Sequence, residues 1–266
     1  MSQIKFYCVT NKKVEFLNLE QIQFCWVGEG SAPKGYLRCD NGDNIFNKEK
    51  FYSELTFHYW YWKNLLPIED KNQWIGFCQK RRYWVTIDET QKINKFNLEK
   101  YLIMLADDSW DKFDAILCNP INVSGAKKIK IIKRGFKNII KDPSILFNKK
   151  KQNLHLHFDM HHGYGNLDKA LNKLDQDNKL DFGKFVRENN TFNPHIMFIA
   201  KPRTLDSWFR NLFDWLQKCE EVFNFEELNG YDTGRLFAYL AERYLSYWFK
   251  KNLNCKEQNW IELENF

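Results

Sequence analysis

Residues 43–84 read DNIFNKEKFYSELTFHYWYWKNLLPIEDKNQWIGFCQKRRYW. The fold class turns on how that stretch divides. From Lys48 to Asn64, Phe51, Leu55, Tyr59 and Trp62 recur at helical spacing, and Phe57, Trp60 and Tyr61 cover further faces. The spacing predicts one helix, capped by Asn47 and buried nearly all round. Pro67 breaks it. Trp74-Ile75-Gly76-Phe77-Cys78 is an apolar run of strand length, and Arg81 and Arg82 follow directly. Helix, loop, buried strand and two cations at the strand's mouth are the unit around which the rest is arranged.

Upstream, Ile4 to Val9 is β-branched and aromatic, a buried strand with Thr10-Asn11-Lys12 at its carboxyl end. Ligands of open α/β sheets sit at such ends. Ile22 to Val27 is a second strand, and Gly28 to Pro33 a loop. That loop is neither a phosphate-binding Walker loop, since no Gly-Lys-Ser/Thr follows, nor a dinucleotide fingerprint. Cys39 to Asn44 is a tight turn carrying Asp40 and Asp43, eligible for a ribose or a metal and equally for plain turn chemistry.

Downstream, the pattern predicts a helix over Leu98–Leu105, a helix-end acid pair at Asp107-Asp108, and a strand over Asp114–Cys118. A strand over Ile129–Ile132 is expected, and another over His195–Ala200. Thr204 to Val222 is an amphipathic helix, and a last helix runs through Phe237, Leu240, Tyr244 and Trp248. Strands alternating with helices argue for an α/β mixed sheet flanked by helices, with a helical C-terminal part. No internal repeat or low-complexity linker divides residues 1–266, so a single domain is expected, with a basic insertion at about 121–153.

The chain is 44% hydrophobic and 28% charged, a globular balance that excludes a disordered or fibrous protein. No apolar run approaches the ~20 residues of a membrane span, and MSQIKFYCVT lacks the layout of a signal peptide. Seven scattered cysteines, with no C-x-x-C pair, fit a reduced cytoplasmic chain better than a disulfide framework. The net charge of +6 is concentrated: ten cations lie between Lys127 and Lys151, opposed by Asp142 alone. Such a block fits an anionic surface or a solvated loop. No nucleic-acid partner is expected.

Leu154 to His162 reads LHLHFDMHH. Taken as an extended chain, it would put His155, His157, Asp159 and His161 on one face, an eligible metal cluster that needs distant partners. A metal-dependent hydrolase is the enzyme class it would serve. A role for Asp159 or His161 as a base or acceptor contact is the rival.

Several motifs also carry a resemblance: Gly42-Asp43-Asn44-Ile45; Tyr52-x-Glu54-Leu55-Thr56; Tyr59-Trp60-x-Trp62-Lys63-Asn64; Gly76-x-Cys78-x-x-Arg81-Arg82-Tyr83; Asn193-x-x-x-Met197-Phe198-Ile199; and Arg235 followed by Ala241-Glu242-Arg243-Tyr244. In this order they resemble a family of bacterial capsule and lipopolysaccharide O-antigen glycosyltransferases, long filed as a domain of unknown function, whose best-understood relatives transfer galactofuranose. The match covers about 4–84 and 193–249, and the middle is poorly matched. Gln79-Lys80 stands where relatives carry His-Tyr, which puts the sugar in question.

The resemblance implies a GT-A-like fold and transfer from a UDP-sugar donor, with galactofuranose the first choice, to a glycan or lipid-linked glycan acceptor. It makes Thr10, Asp43, Asn44, Glu54, Arg81, Arg82 and Asn193 candidate donor-binding residues, and Glu242, ahead of Asp159 and His161, the candidate base for an inverting transfer. No acid follows the Trp74–Cys78 strand until Asp88. The two arginines and Lys80 are therefore expected to grip the diphosphate without a metal. No cofactor is expected, and a divalent metal would enter through Asp40, Asp43 or the histidine face. Glu54 either hydrogen-bonds the sugar or pairs with Arg81 or Arg82. The basic block 127–151 is expected to hold the chain peripherally on the inner membrane. A non-catalytic polysaccharide-binding subunit is the third class left open.

Overall fold

A computed structural model describes residues 2–17, 19–88 and 92–263. In chain order the strands are β1 (Ile4–Thr10), β2 (Ile22–Trp26), β3 (Leu37–Arg38), β4 (Trp74–Gln79), β5 (Arg82–Trp84), β6 (Ala115–Cys118), β7 (Ile121–Asn122), β8 (Thr191–Phe192), β9 (Phe198–Ala200), β10 (Cys255–Gln258) and β11 (Trp260–Glu262). The α-helices are α1 (Glu49–Tyr52), α2 (Leu55–Asn64), α3 (Lys128–Arg134), α4 (Phe136–Lys141), α5 (Leu154–His162), α6 (Asn166–Leu171), α7 (Gln176–Glu188), α8 (Pro202–Glu220), α9 (Gly230–Gly234) and α10 (Leu236–Asn252). The chain falls into two compact units. The first takes Met1–Asn119, His195–Arg210 and Phe249–Phe266, and the second Pro120–Pro194 and Asn211–Trp248.

The first unit is built on one mixed sheet in the order β10-β6-β9-β4-β1-β2-β3, with β5 on β4 and β11 on β5. β1 to β4 run parallel through the pairs β4–β1, β1–β2 and β2–β3, whereas β9 is antiparallel to both β4 and β6. The period of two in β1 decides the layers. Ile4, Phe6 and Cys8 enter one core with Trp74, Trp84, Ile103 and Trp110. Tyr7, on the opposite face, meets Tyr61 of α2, with ring centroids 4.8 Å apart, and Phe57 at 5.6 Å. His58 of α2 lies 4.6 Å from Phe77, and Phe209, in the first turns of α8, lies 5.9 Å from the same ring. Gly76 has no alternative, because a Cβ there would run into the Phe6 ring.

The second unit is helical apart from the β7–β8 ribbon. Its core is aromatic: Trp215 lies 4.6 Å from Tyr244 and 6.0 Å from Phe182, and its indole N–H donates to the Ala170 carbonyl. A smaller cluster of Ile131, Ile145, Leu156 and Met160 closes the space under α3 and α4.

Several expectations need correction. The helix expected over Lys48–Asn64 is broken at Ser53, where φ is 51°; α1 and α2 flank the break, and no side chain caps either helix. Leu98–Leu105 forms a single 3-10 turn and then an extended stretch, with Leu102 bridged to Val85 and Leu105 to Gln3. Asp107 starts a 3-10 turn by accepting from the Ser109 N–H, so the acid pair marks a beginning. Ile129–Ile132 lies in helix α3, since Ile131 is the one residue there that turns inward. The strand expected from His195 begins only at Phe198, because His195 and Ile196 take φ values of 75° and 52°, incompatible with a ladder.

Candidate active site

In the first unit, the carboxyl ends of β1, β2 and β4 adjoin. The Val27 N–H donates to the Thr10 carbonyl, the Lys80 N–H to the Val9 carbonyl, and Lys80 Nζ to Asn11 Oδ1 at 2.5 Å. Gly28, at φ 110°, faces Asn11 closely enough that a Cβ would stand 3.5 Å from the Asn11 Cβ. This rim is where a parallel sheet offers its ligand site.

Gln79, the last residue of β4, is the hub of the rim. Its Nε2 donates to Glu54 Oε1 at 2.8 Å and to the His195 carbonyl at 2.7 Å. Its Oε1 accepts from Arg82 Nη1 at 2.6 Å. Arg82 Nη2 then donates to Glu262 Oε1 at 3.0 Å, and Arg81 Nη2 reaches the same oxygen at 3.1 Å. Of the two roles open to Glu54, pairing with Arg81 or Arg82 is ruled out: Glu262 of β11 holds both arginines, and Glu54 is held by the Gln79 amide. Arg82 Nε is buried without a hydrogen-bond partner among the described residues. Arg81, Arg82 and Lys80 against Glu54 and Glu262 leave the rim one positive charge in excess.

Among the other donor candidates, Thr10 is buried and its hydroxyl closes its own turn, donating to the Lys12 carbonyl and accepting from the Lys12 N–H. Asp43 accepts from the Tyr59 hydroxyl at 3.1 Å, and Asn64 clasps its backbone. Asn44 accepts from the Phe46 N–H and donates to the Gly42 carbonyl, holding the turn in shape. Asp40 pairs with Arg38, which lowers its pKa, while Arg38 Nη1 secures the Gly30 carbonyl.

Asn193 belongs to the second unit, fully buried, its N–H donating to the Ser246 hydroxyl at 2.7 Å. LHLHFDMHH is helix α5, begun by Asn153, whose side chain accepts from the Leu156 N–H. The expectation of an extended histidine face fails, because residues 155 and 157 stand about 200° apart around a helix axis. His155 pairs with Asp168 at 3.0 Å. His157 and His161 stack at 4.6 Å, but each nitrogen pair is met by a cation: Arg243 reaches His157 Nδ1 at 3.2 Å, and Arg134 reaches His161 Nδ1 at 3.1 Å. Burial first, and Arg243 next, push His157 down to about 2; burial with Lys130 and Arg134 takes His161 down to about 4. Among the described residues, no three His, Cys, Asp or Glu side chains come together as a metal site.

Asp159 is buried, and its two oxygens accept from Asn138 Nδ2 at 2.7 Å and the Gly165 N–H at 3.0 Å. Glu242 pairs with Arg243 at 2.5 Å, and that guanidinium also lies 3.7 Å from the Phe192 ring centre. Reasoning from sequence missed Gln79 and Glu262 as partners, whereas Arg243 stands beside Glu242 in the quoted motif. Of the two missed, only Gln79 carried a signal, as a departure from the family pattern.

Among the described residues no helix is long and apolar enough to cross a membrane. The model of a family described as "Domain of unknown function (DUF4422)" matches residues 5–253. No curated protein matches the chain. Among solved structures, the apo structure of WbbM, a bifunctional glycosyltransferase, is similar with a TM-score of 0.70 and 20% identity over 99% of this chain. The chain spans 46% of that protein's length, so the likeness is to about half of it. It establishes the fold class, a mixed sheet flanked by helices.

Proposed function

The chain belongs to the DUF4422 family, and we propose that it is a glycosyltransferase, moving a sugar from a UDP-linked donor to a capsular or lipopolysaccharide glycan acceptor. The observation that carries the proposal is the fold likeness to a bifunctional glycosyltransferase over nearly the whole chain. The resemblance of the motifs at 42–84 and 235–244 supports it. Galactofuranose is the first donor sugar to test, with Gln79 the position at which the choice is made.

In this reading the diphosphate lies on the rim at the ends of β1 and β4. Arg81 and Arg82 share one carboxylate oxygen of Glu262, so each keeps N–H donors for phosphate oxygens. Arg82, positioned by Gln79, stabilises the charge that builds on the leaving nucleotide. Glu54, held by the same amide, faces the sugar side. Thr10, Asp43 and Asn44 act through the backbone turns they hold, and the buried Asn193 through its place beside Ser246. The role of base for the acceptor hydroxyl goes to Glu242, ahead of Asp159 and His161, and is supported by the resemblance of the Ala241-Glu242-Arg243-Tyr244 motif. The basic segment 127–151 meets the inner-membrane surface where lipid-linked acceptors lie, each cation near an anionic bilayer contributing about 1 kcal/mol.

The test is a panel of nucleotide sugars scored by thermal shift and by transfer to a lipid-linked glycan. A donor at 100 times its Kd adds about 2.7 kcal/mol of stability. Transfer is expected to persist in excess EDTA. A panel with no shift and no transfer sinks the proposal. Activity abolished by EDTA and restored by Mn²⁺ moves the diphosphate from the arginines to Asp40 or Asp43.

A further inference from the structure

The basic segment carries more than charge. α3 and α4 are nearly continuous: the Gly135 N–H donates to the Ile131 carbonyl at 2.7 Å and the Ile139 N–H to the Gly135 carbonyl at 3.0 Å. Gly135, with φ −104° and ψ 19°, ends α3 and begins α4, so each helix keeps its own phase. Ile131 and Ile139 point into the small core with Ile145 and Met160. In α3, Ile129 and Ile132 are three apart and share one face; in α4, Phe136 and Ile140 are four apart and share another; all four are exposed. Together with Phe147 they are 48–79% exposed, although each is a large apolar side chain. Lys128 lies 4.8 Å over the Phe147 ring, so the cations border these side chains directly. The acid of the segment, Asp142, is neutralised by Lys151 at 2.5 Å.

A solvated loop needs lysines but has no use for five exposed apolar side chains beside them. Apolar residues on the exposed faces of helices, bordered by lysines, are the arrangement that lies in the plane of a bilayer interface. We infer that Ile129, Ile132, Phe136, Ile140 and Phe147 insert below the headgroups of an anionic lipid bilayer, while the flanking lysines meet the lipid phosphates. The inference deepens the membrane assignment above: contact is by insertion, with charge setting where it happens. Excess of basic over acidic groups selects the anionic lipid as the occupant.

The experiment uses the full chain with vesicles of phosphatidylcholine, with and without phosphatidylglycerol, at low and high salt. Raising salt from about 0.1 M to 1 M shortens the screening length from about 10 Å to 3 Å and removes most of the charge contribution. The native chain is expected to bind the anionic vesicles and to keep part of that binding at high salt. The combined variant Ile129→Ser, Phe136→Ser, Ile140→Ser and Phe147→Ser, checked for an unchanged unfolding midpoint, is expected to lose at least about tenfold in binding at low salt. An environment-sensitive dye at Phe136→Cys should shift to the blue on anionic vesicles, which reads insertion in a chain with a single change on this surface.

Native-level binding by the serine variant, or a dye that does not respond to bound vesicles, overturns the inference. So does self-association of the native chain, abolished by the serine variant, with no vesicle binding at any salt. Vesicle binding needs no nucleotide sugar. A chain that binds and inserts but transfers nothing refutes sugar transfer alone, and one that transfers but ignores vesicles refutes insertion alone.

Discussion

At the carboxyl end of β4, Arg82 reaches Gln79 and Glu262 with 22% of its side chain still in solvent; in α10, Arg243 meets Glu242, His157 and the Phe192 ring with 2% exposed. Both are arginines bound to one carboxylate and one neutral group. The strand-end arginine can trade a protein carboxylate for a ligand phosphate at small cost, because water already reaches the exchange. The arginine in the helical unit has no such exchange open to it; its charge is matched in place and holds the packing. A guanidinium at a solvated strand end is available for chemistry, and the enclosed guanidinium of Arg243 is spent on holding its neighbours, Glu242 among them.

The largest effect that would break this contrast is in stability. Arg243→Ala removes a buried guanidinium, its pair with the half-buried Glu242 and its contact with the Phe192 ring, and is expected to cost about 3 kcal/mol in urea unfolding. Arg82→Ala, at a partly solvated pair, should cost no more than about 1 kcal/mol. Equal losses would erase the distinction. Next comes turnover: Arg82→Ala is expected to lower transfer by about 10²–10³ with a native unfolding midpoint. A native rate would leave the rim a structural feature only.

The smallest effect sharpens the comparison with a third buried group. His58 of α2 lies among Phe77, Phe198 and Phe209, its Nδ1 unpaired among the described residues, and burial pulls its pKa down to about 3. The unfolded chain titrates near 6.5, so it binds the proton first as pH falls. The stability contributed is complete above pH 6.5 and lost progressively toward pH 3. Between pH 6.5 and 4.5 the loss is on the order of 2 kcal/mol for this residue. His58→Phe should reduce the slope of that part of the pH–stability curve by one proton's worth, leaving the share of other groups such as His157 and His161, while changing little at pH 7.5. An unchanged slope would show the imidazole to be hydrated in the fold.

Much of the sheet was legible. The apolar runs at Ile4–Val9 and Trp74–Cys78 are the adjacent strands β1 and β4, and the amphipathic spacing from Thr204 is α8. Alternating histidines misled at LHLHFDMHH because the apolar residues there, Leu154, Leu156, Phe158 and Met160, alternate too. The Asn153 cap, three residues before Leu156, was the local sign of a helix. Ser53 left no sign, since its positive φ is imposed by the turn between α1 and α2 rather than by its own preference. At the rim, the arginines and Glu54 were legible as a group, but not their partners. Glu262 lies 180 positions from Arg82, and nothing in local pattern joins residues so far apart.

That separation also orders events during synthesis. At about 5–20 residues per second, roughly 10–40 s pass between the emergence of Arg82 and that of Glu262. For that interval Arg81 and Arg82 have no Glu262 beside β4. β6 likewise waits for β10, its parallel neighbour, with Ala115 opposite Cys255. The rim on which donor binding is proposed is therefore among the last parts of the chain to be completed, and a nascent chain stalled before β11 would carry its arginines without the carboxylate that holds them in place.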